Sequence, residues 1–134
     1  MEEALYALLA ADAGITAALA STGNIFWIDR QQASGFPAMV MTRISGVRNY
    51  LHAGADGLVQ SRVQFDCQSL AFLTTKTIVR ALRNKLSGFS NINSGGIFQG
   101  CFIDGGDRDT FDDSPATDKV YRTSVDYLIF HKEL

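Results

Sequence analysis

Five aspartates crowd the stretch from residue 104 to residue 113: Asp104, Asp107, Asp109, Asp112 and Asp113. Carboxylate oxygens at that density are hard ligands of the kind calcium takes. An EF-hand loop needs acidic groups at alternate positions, a central glycine and a terminal bidentate glutamate, and this spacing supplies no such pattern. Two blander readings stay open beside calcium: a solvated loop, and carboxylates that meet arginines of a neighbouring subunit. Elsewhere the chemistry is sparse. No Gly-rich phosphate loop precedes a helix, and no Cys or His pair has zinc-ligand spacing. His52 falls in a loop and His131 near the chain end, where each reads as a lone surface histidine. The residues therefore predict no catalytic group, no metal and no cofactor.

Cations form the second cluster, with Lys76, Arg80, Arg83 and Lys85 inside ten residues. They surround a helix rather than line one edge, and no aromatic platform is interleaved, so a solvated helix face is the plainer reading than a nucleic-acid site. The formal net charge of -2 points the same way, because a dedicated nucleic-acid binder carries a basic excess.

These side chains need elements to hold them. Glu2 to Ala20 is helix-prone, with Leu5, Leu8 and Leu9 in one stripe and Glu2 and Glu3 at the positive end of the dipole. Asp12 before Ala13-Gly14-Ile15 predicts a break and a second short helix with Asp12 as its N-cap. Ile25 to Ile28 reads as a short apolar strand. Ala38 to Arg48 is a long strand, and the Gly-punctuated segment from Asn49 to Gly57 reads as a loop too elaborate for a tight hairpin. The strand that follows is two-faced. Val59, Val63, Phe65 and Cys67 share one side, interrupted by Ser61, while Gln60, Arg62, Gln64, Asp66 and Gln68 share the other. That polar side is either a solvated sheet face or a surface built to meet another subunit.

Ala71 to Leu86 is the clearest helix, its apolar stripe carried by Ile78, Val79, Leu82 and Leu86. Ile97 to Asp104 is a strand with a bulge expected at Gly100, an acidic loop spans Gly105 to Thr117, and Lys119 to Lys132 is the last strand. There Tyr121, Val125, Tyr127 and Ile129 mark the buried side against Arg122, Ser124 and Asp126. Connections of about ten residues favour antiparallel pairing. The fold class expected is α+β, a two-layer sandwich of a mostly antiparallel sheet with two main helices packed on one face.

The 134 residues fit one domain, long enough to bury about two-thirds of the unfolded surface without a staple. Two cysteines, Cys67 and Cys101, read as buried free thiols of a reducing compartment. Met1-Glu-Glu opens acidic, unlike a secretory leader, and no apolar run reaches the length of a membrane span. A protein made in the cytoplasm, with no membrane partner, is expected.

Taken in order, these segments resemble the bacteriophage tail-completion, or tail terminator, proteins. The resemblance rests on Ala4-Leu-Tyr-Ala-Leu-Leu9 with Ala11 to Leu19, Phe36-Pro-Ala-Met-Val40, Arg43-Ile-Ser-Gly-Val-Arg48, Val63-Gln-Phe-Asp-Cys67, the helix to Leu86, and an acidic loop leading into Tyr121-Arg-Thr-Ser-Val-Asp-Tyr127. It covers nearly the whole chain, and similar proteins occur in phages, prophages and gene transfer agents. It implies a non-enzymatic virion protein, assembled in the host cytoplasm, at the head-proximal end of a tail. Such subunits form a ring, typically a hexamer, that stops tail-tube polymerisation and docks to the head-completion or connector protein, with DNA met only by passage through the lumen.

A ring uses heterologous contacts, so each subunit needs two unlike patches. The subunit-contact candidates are Arg43, Arg48, Arg62, Asp66, Asp107, Asp109, Asp112 and Arg122. In this expectation Arg43, Arg62 or Arg122 meets Asp107, Asp109 or Asp112 across the boundary. Asn49, Tyr50, His52 and Asp56 make the 49–57 segment a candidate docking element. The alternatives are a head-closure or neck connector protein and a small ligand-binding α+β domain with a concave apolar pocket.

Overall fold

Asp12 decides how the chain begins. Its Oδ2 accepts a hydrogen bond from the Ile15 backbone N–H at 3.0 Å, capping a second helix where the first has ended. The structure, a computed structural model, describes residues 1–19, 24–28, 37–52, 54–112 and 120–132, with backbone alone at 49–51, 55, 56 and 112. In it α1 is Glu2–Ala10, α2 is Ala13–Leu19 and α3 is Phe72–Leu86. The strands are β1 (Ile25–Trp27), β2 (Ala38–Leu51), β3 (Gly54–Ser69), β4 (Phe98–Ile103), β5 (Arg108–Asp112) and β6 (Val120–Lys132).

The strands form one sheet in the order β1-β2-β3-β6-β4, with β5 also pairing to β6. Among the described residues all pairings are antiparallel except β1 beside β2. The three helices pack on one face, giving the two-layer α+β sandwich the patterning predicts. Leu5, Leu9, Ile15, Leu19, Ile78, Leu82 and Leu86 meet Met39, Met41, Val63, Phe65, Cys67, Val125, Tyr127 and Ile129 in a continuous core. Phe65 and Tyr127 lie edge to face at 5.4 Å. The alternation of β3 holds throughout, every odd residue from Val59 to Ser69 being buried. The Gly100 irregularity is also present, as a register shift between Phe98 and Gly100. Among the described residues no helix is long and apolar enough to cross a membrane.

Two segments depart from the expected layout. The segment from Asn49 to Gly57 is not an elaborate loop. β2 and β3 continue pairing through Tyr50–Ala55 and Leu51–Gly54, so they form one long hairpin. Its glycines interrupt the apolar alternation without ending the ladder. A register shift between Arg48 and Tyr50 absorbs the extra residues of β3, with Gly57 at φ 78°. The second departure is β5, a strand inside the run expected to be an acidic loop. β6 is 13 residues long and β4 covers only its end from Tyr127 to His131, which leaves the edge from Val120 to Ser124 for another strand. Arg108–Asp112 fills that edge, and its hydrogen bonds override the poor strand propensity of aspartate.

Candidate interaction surface

The helices occupy one face; among the described residues none covers the other, here called the bare face, and its middle is the most highly connected polar site in the described residues. Along β6, β4 ends near Tyr127 and β5 begins opposite Ser124, so Asp126 sits at their junction. Its side chain is only 6% exposed. Arg62 of β3 donates to Oδ2 through Nη2 at 2.8 Å and Nε at 3.2 Å, and Arg108 of β5 donates to Oδ1 at 2.9 Å. Arg62 reaches Asp104 as well, through Nη1. Burial by itself pushes the Asp126 pKa up, but the hydrogen bonds and charges of Arg108 and Arg62 outweigh it and hold the group below its usual value. Beside this cluster, Asp66 accepts hydrogen bonds from Gln64 at 3.0 Å and from Ser124. Two guanidiniums and two carboxylates neutralise one another here, so the site clamps strands together and leaves no poised acid or base.

The residues singled out in the sequence do not form one surface. Arg62, Asp66 and Arg122 lie on the bare face. Arg43 and Arg48 pair with Val63 and Val59, which places them on the helix face, and Arg43 Nη1 lies 3.5 Å from Glu2 Oε1 of α1. Its guanidinium fills the space that a Cβ at Gly46 would take. Arg43, Arg48, Glu2, Glu3, Met1, Val59 and His131 line a cleft of about 270 Å³. Asp107 lies 3.5 Å from Arg83, and Asp109 accepts from Lys76 at 2.7 Å and from Thr123 at 2.8 Å. The Lys76 hydrogen bond, then that of Thr123, lowers the Asp109 pKa. Arg62, Asp107 and Asp109 are thus matched within their own chain. Arg43 and Arg122 each retain a buried Nε with no hydrogen-bond partner among the described residues. The side chains of Asn49, Tyr50, Asp56 and Asp112, and all of Asp113, lie outside the described residues, while His52 is exposed at the hairpin end.

His131 is a correction: it is buried, not a surface residue. β6 runs on to Lys132, so His131 shares the inward face of Tyr127 and Ile129, and its Nε2 lies 2.8 Å from Ser61 Oγ. That contact explains the serine interrupting the apolar side of β3. Ser61 is fully enclosed, so the pair is a core hydrogen bond rather than a nucleophile and base. Among the described residues no group of three or more His, Cys, Asp or Glu side chains is placed to hold a metal ion. A cleft of about 440 Å³ at the end of β1 is lined by Trp27, Ile28, Thr42, Glu2 and Arg43. Its charged groups, Glu2 and Arg43, face each other.

Sequence reasoning missed two apolar surfaces. At one end of the bare face Phe102 is 52% exposed and stacks edge to face on Phe130 at 5.9 Å. Gly100 makes this possible, since a Cβ there would stand 2.8 Å from the Phe102 ring. At the other end of the sheet Leu70, Phe72, Leu73 and Phe111 are exposed around Tyr121, whose ring contacts Phe72 at 6.0 Å and Phe111 at 6.4 Å. The signal was present in Leu70-Ala-Phe-Leu73, an apolar run just ahead of the helical stripe.

With this geometry in view, residues 3–132 match the family described as tail completion protein gp17. No curated protein matches the chain. Among solved structures, a chain of a virion of a native gene transfer agent particle superposes with a TM-score of 0.66, at 17% sequence identity. The match covers 98% of this chain and 94% of that one, and at that identity it is a likeness of fold.

Proposed function

The chain belongs to the tail completion protein family and is a structural component of phage-type tails, and we propose that it caps the head-proximal end of the tail tube as a ring. In this reading the ring halts tube polymerisation, presents a docking surface to the head connector, and meets DNA only as it passes through the lumen. Six subunits is the number that the tail-terminator resemblance implies. The observation that carries the reading is the family match across residues 3–132, which takes in every strand and nearly all of the helical layer.

The surfaces support it physically. A ring needs two unlike patches per subunit, and the chain exposes unlike apolar groups, Phe102 at one end of the sheet and Leu73 with Phe111 at the other. Apolar contacts of this kind supply affinity, while rim charges set register and partner choice. Arg43, Arg48 and Arg122 are the cations we assign to that rim; Asp104, Asp107 and Asp109 already serve Arg62, Arg83 and Lys76 of their own chain. Arg62 contributes indirectly, by holding β5 in place through Asp126.

The test is to delete the gene in a particle-producing strain and measure tail tubes by negative-stain electron microscopy. Overlong tubes without heads, restored to normal length by the supplied protein, are expected. Tubes of normal length already joined to heads would overturn the reading. Normal-length tubes lacking heads would move the protein to the neck.

A further inference from the structure

We propose that the cleft at the β1 edge of one copy receives the start of α3 of the next, with Leu73 seated between Trp27 and Ile28 and Arg80 facing Glu3. This deepens the ring reading and rests on it.

The cleft calls for an apolar guest. Its volume of about 440 Å³ is that of a ligand-sized site, and its two charged lining residues, Glu2 and Arg43, satisfy each other. What remains is Trp27, Ile28 and Thr42. The Trp27 indole N–H is committed to the Glu2 carbonyl at 3.2 Å, so the ring offers hydrocarbon to whatever enters. Ile28 stands at the mouth with φ 70°, and it is the only described residue other than glycine in the left-handed region. Branching at Cβ makes that conformation costly, and the Ile28 N–H holds it by donating to the Met41 carbonyl at 2.7 Å. The side chain is left 76% exposed, where a guest in the cleft would cover it.

The guest is offered at the other margin of the helix layer. α1 is tied to β1 and β2 through Glu2, α2 lies between, and α3 packs on β3 and β6. At the start of α3, Leu73 is 75% exposed, flanked by exposed Leu70 and Phe72. Leu73, Thr77, Arg80 and Asn84 share one solvent-facing stripe, opposite the buried stripe of Ile78, Val79, Leu82 and Leu86. Arg80 stands two turns, about 10 Å, beyond Leu73.

Charge singles out the same two edges. Within the helix layer Lys76 serves Asp109, Arg83 serves Asp107, Lys85 lies 5.0 Å from the Phe89 ring, and Asp12 caps α2. Arg43 and Arg48 approach α1 from β2, and both are engaged within the chain. Two helix charges stay exposed with no ion pair among the described residues, Glu3 on α1 and Arg80 on α3. They are opposite in sign, and α2 separates their helices. A contact that joins them is heterologous and repeats from copy to copy, whereas a two-fold dimer would set like against like. Leu73 on Trp27 supplies affinity, and the exposed charge pair sets register.

Disulfide trapping in the full chain tests this, with Ile28→Cys at the cleft and Leu73→Cys on α3. The native Cys67 and Cys101 are buried, which raises both thiol pKa values, Cys101 to about 12, and keeps them unreactive. The two variants are mixed with tail tubes that lack the protein and oxidised. A linked dimer should form in the mixture and in neither variant alone, and a chain carrying both cysteines should give a ladder ending at the closed ring. Glu3→Lys in the Ile28→Cys chain should cut the linked yield about tenfold at low salt, with the circular dichroism spectrum unchanged. Arg80→Glu in the Leu73→Cys chain should then restore the yield. Self-linking by one variant alone, a cross-link to the tube protein, a yield that the charge variants leave unchanged or unrepaired, or no linking in particles that still join heads overturns this contact while the tail reading stands. Wild-type protein that fails to restore head joining refutes the tail reading itself, a separate failure.

Discussion

Replacing Asp126 with asparagine keeps the side chain's shape and removes the charge on which β3 and β5 converge. Deleting one member of a fully buried ion pair costs about 3–5 kcal/mol. Here the arginines are only partly enclosed, the Arg62 and Arg108 side chains being 37% and 49% exposed. Water can take up both guanidiniums, and the asparagine carbonyl still accepts one hydrogen bond. The expected loss is therefore about 1–2 kcal/mol at neutral pH, or roughly 3–8 °C in Tm for a chain of this length. Asp126 has a folded-state pKa below its ordinary value of 3.8. Its contribution is thus complete above that value and is lost as pH falls through the folded pKa. Urea unfolding followed by circular dichroism at pH 7, 5 and 3 should show a constant gap between wild type and variant at the first two values and a smaller gap at the third. Hydrogen exchange should quicken first in Arg108–Asp112, the strand that Asp126 holds. Equal stabilities at pH 7, or a gap that does not narrow at pH 3, would refute the clamp.

Three further outcomes follow from buried polar groups and one helix cap. Burial lowers the His131 pKa below 6.5, so the stability this neutral ring contributes is present above pH 6.5 and lost as pH falls through the folded value. His131→Gln should flatten the urea midpoint over that window. Tyr127 keeps its hydroxyl buried without a hydrogen-bond partner among the described residues. Tyr127→Phe should therefore leave stability unchanged or raise it by up to about 1 kcal/mol in the same assay, and a loss beyond about 1 kcal/mol would reveal a hidden partner. Asp12→Ala removes the cap on Ile15 and should cost about 1 kcal/mol, with faster exchange confined to α2.

Local signals were legible where one short-range rule decided the outcome. Asp12 announced the break between α1 and α2. The alternation from Val59 to Cys67 revealed the two faces of β3, and the stripe from Ile78 to Leu86 identified α3. What escaped depended on distant partners. Arg108–Asp112 looks like a loop until the uncovered edge of β6 is known. Glycines in the β2–β3 hairpin signal a turn unless the opposing strand shows that pairing continues past them. Asp126 reads as solvent-facing because alternation reports which side of a strand a residue takes, not what covers that side. The candidate site was legible only in part: the polar face of β3 was visible, but Arg62 pairs inside its own chain. The exposed apolar groups were missed because Phe111 hides in an acidic run and Phe102 beside a bulge.

Labelling intact particles shows where in the virion the protein sits. Antibody–gold against an epitope tag on this chain, viewed in negative stain, should mark the junction of head and tail, and tails detached from heads should keep the label at their head-proximal end. Label at the distal tip, along the whole tube, or on tail-free heads would contradict that position.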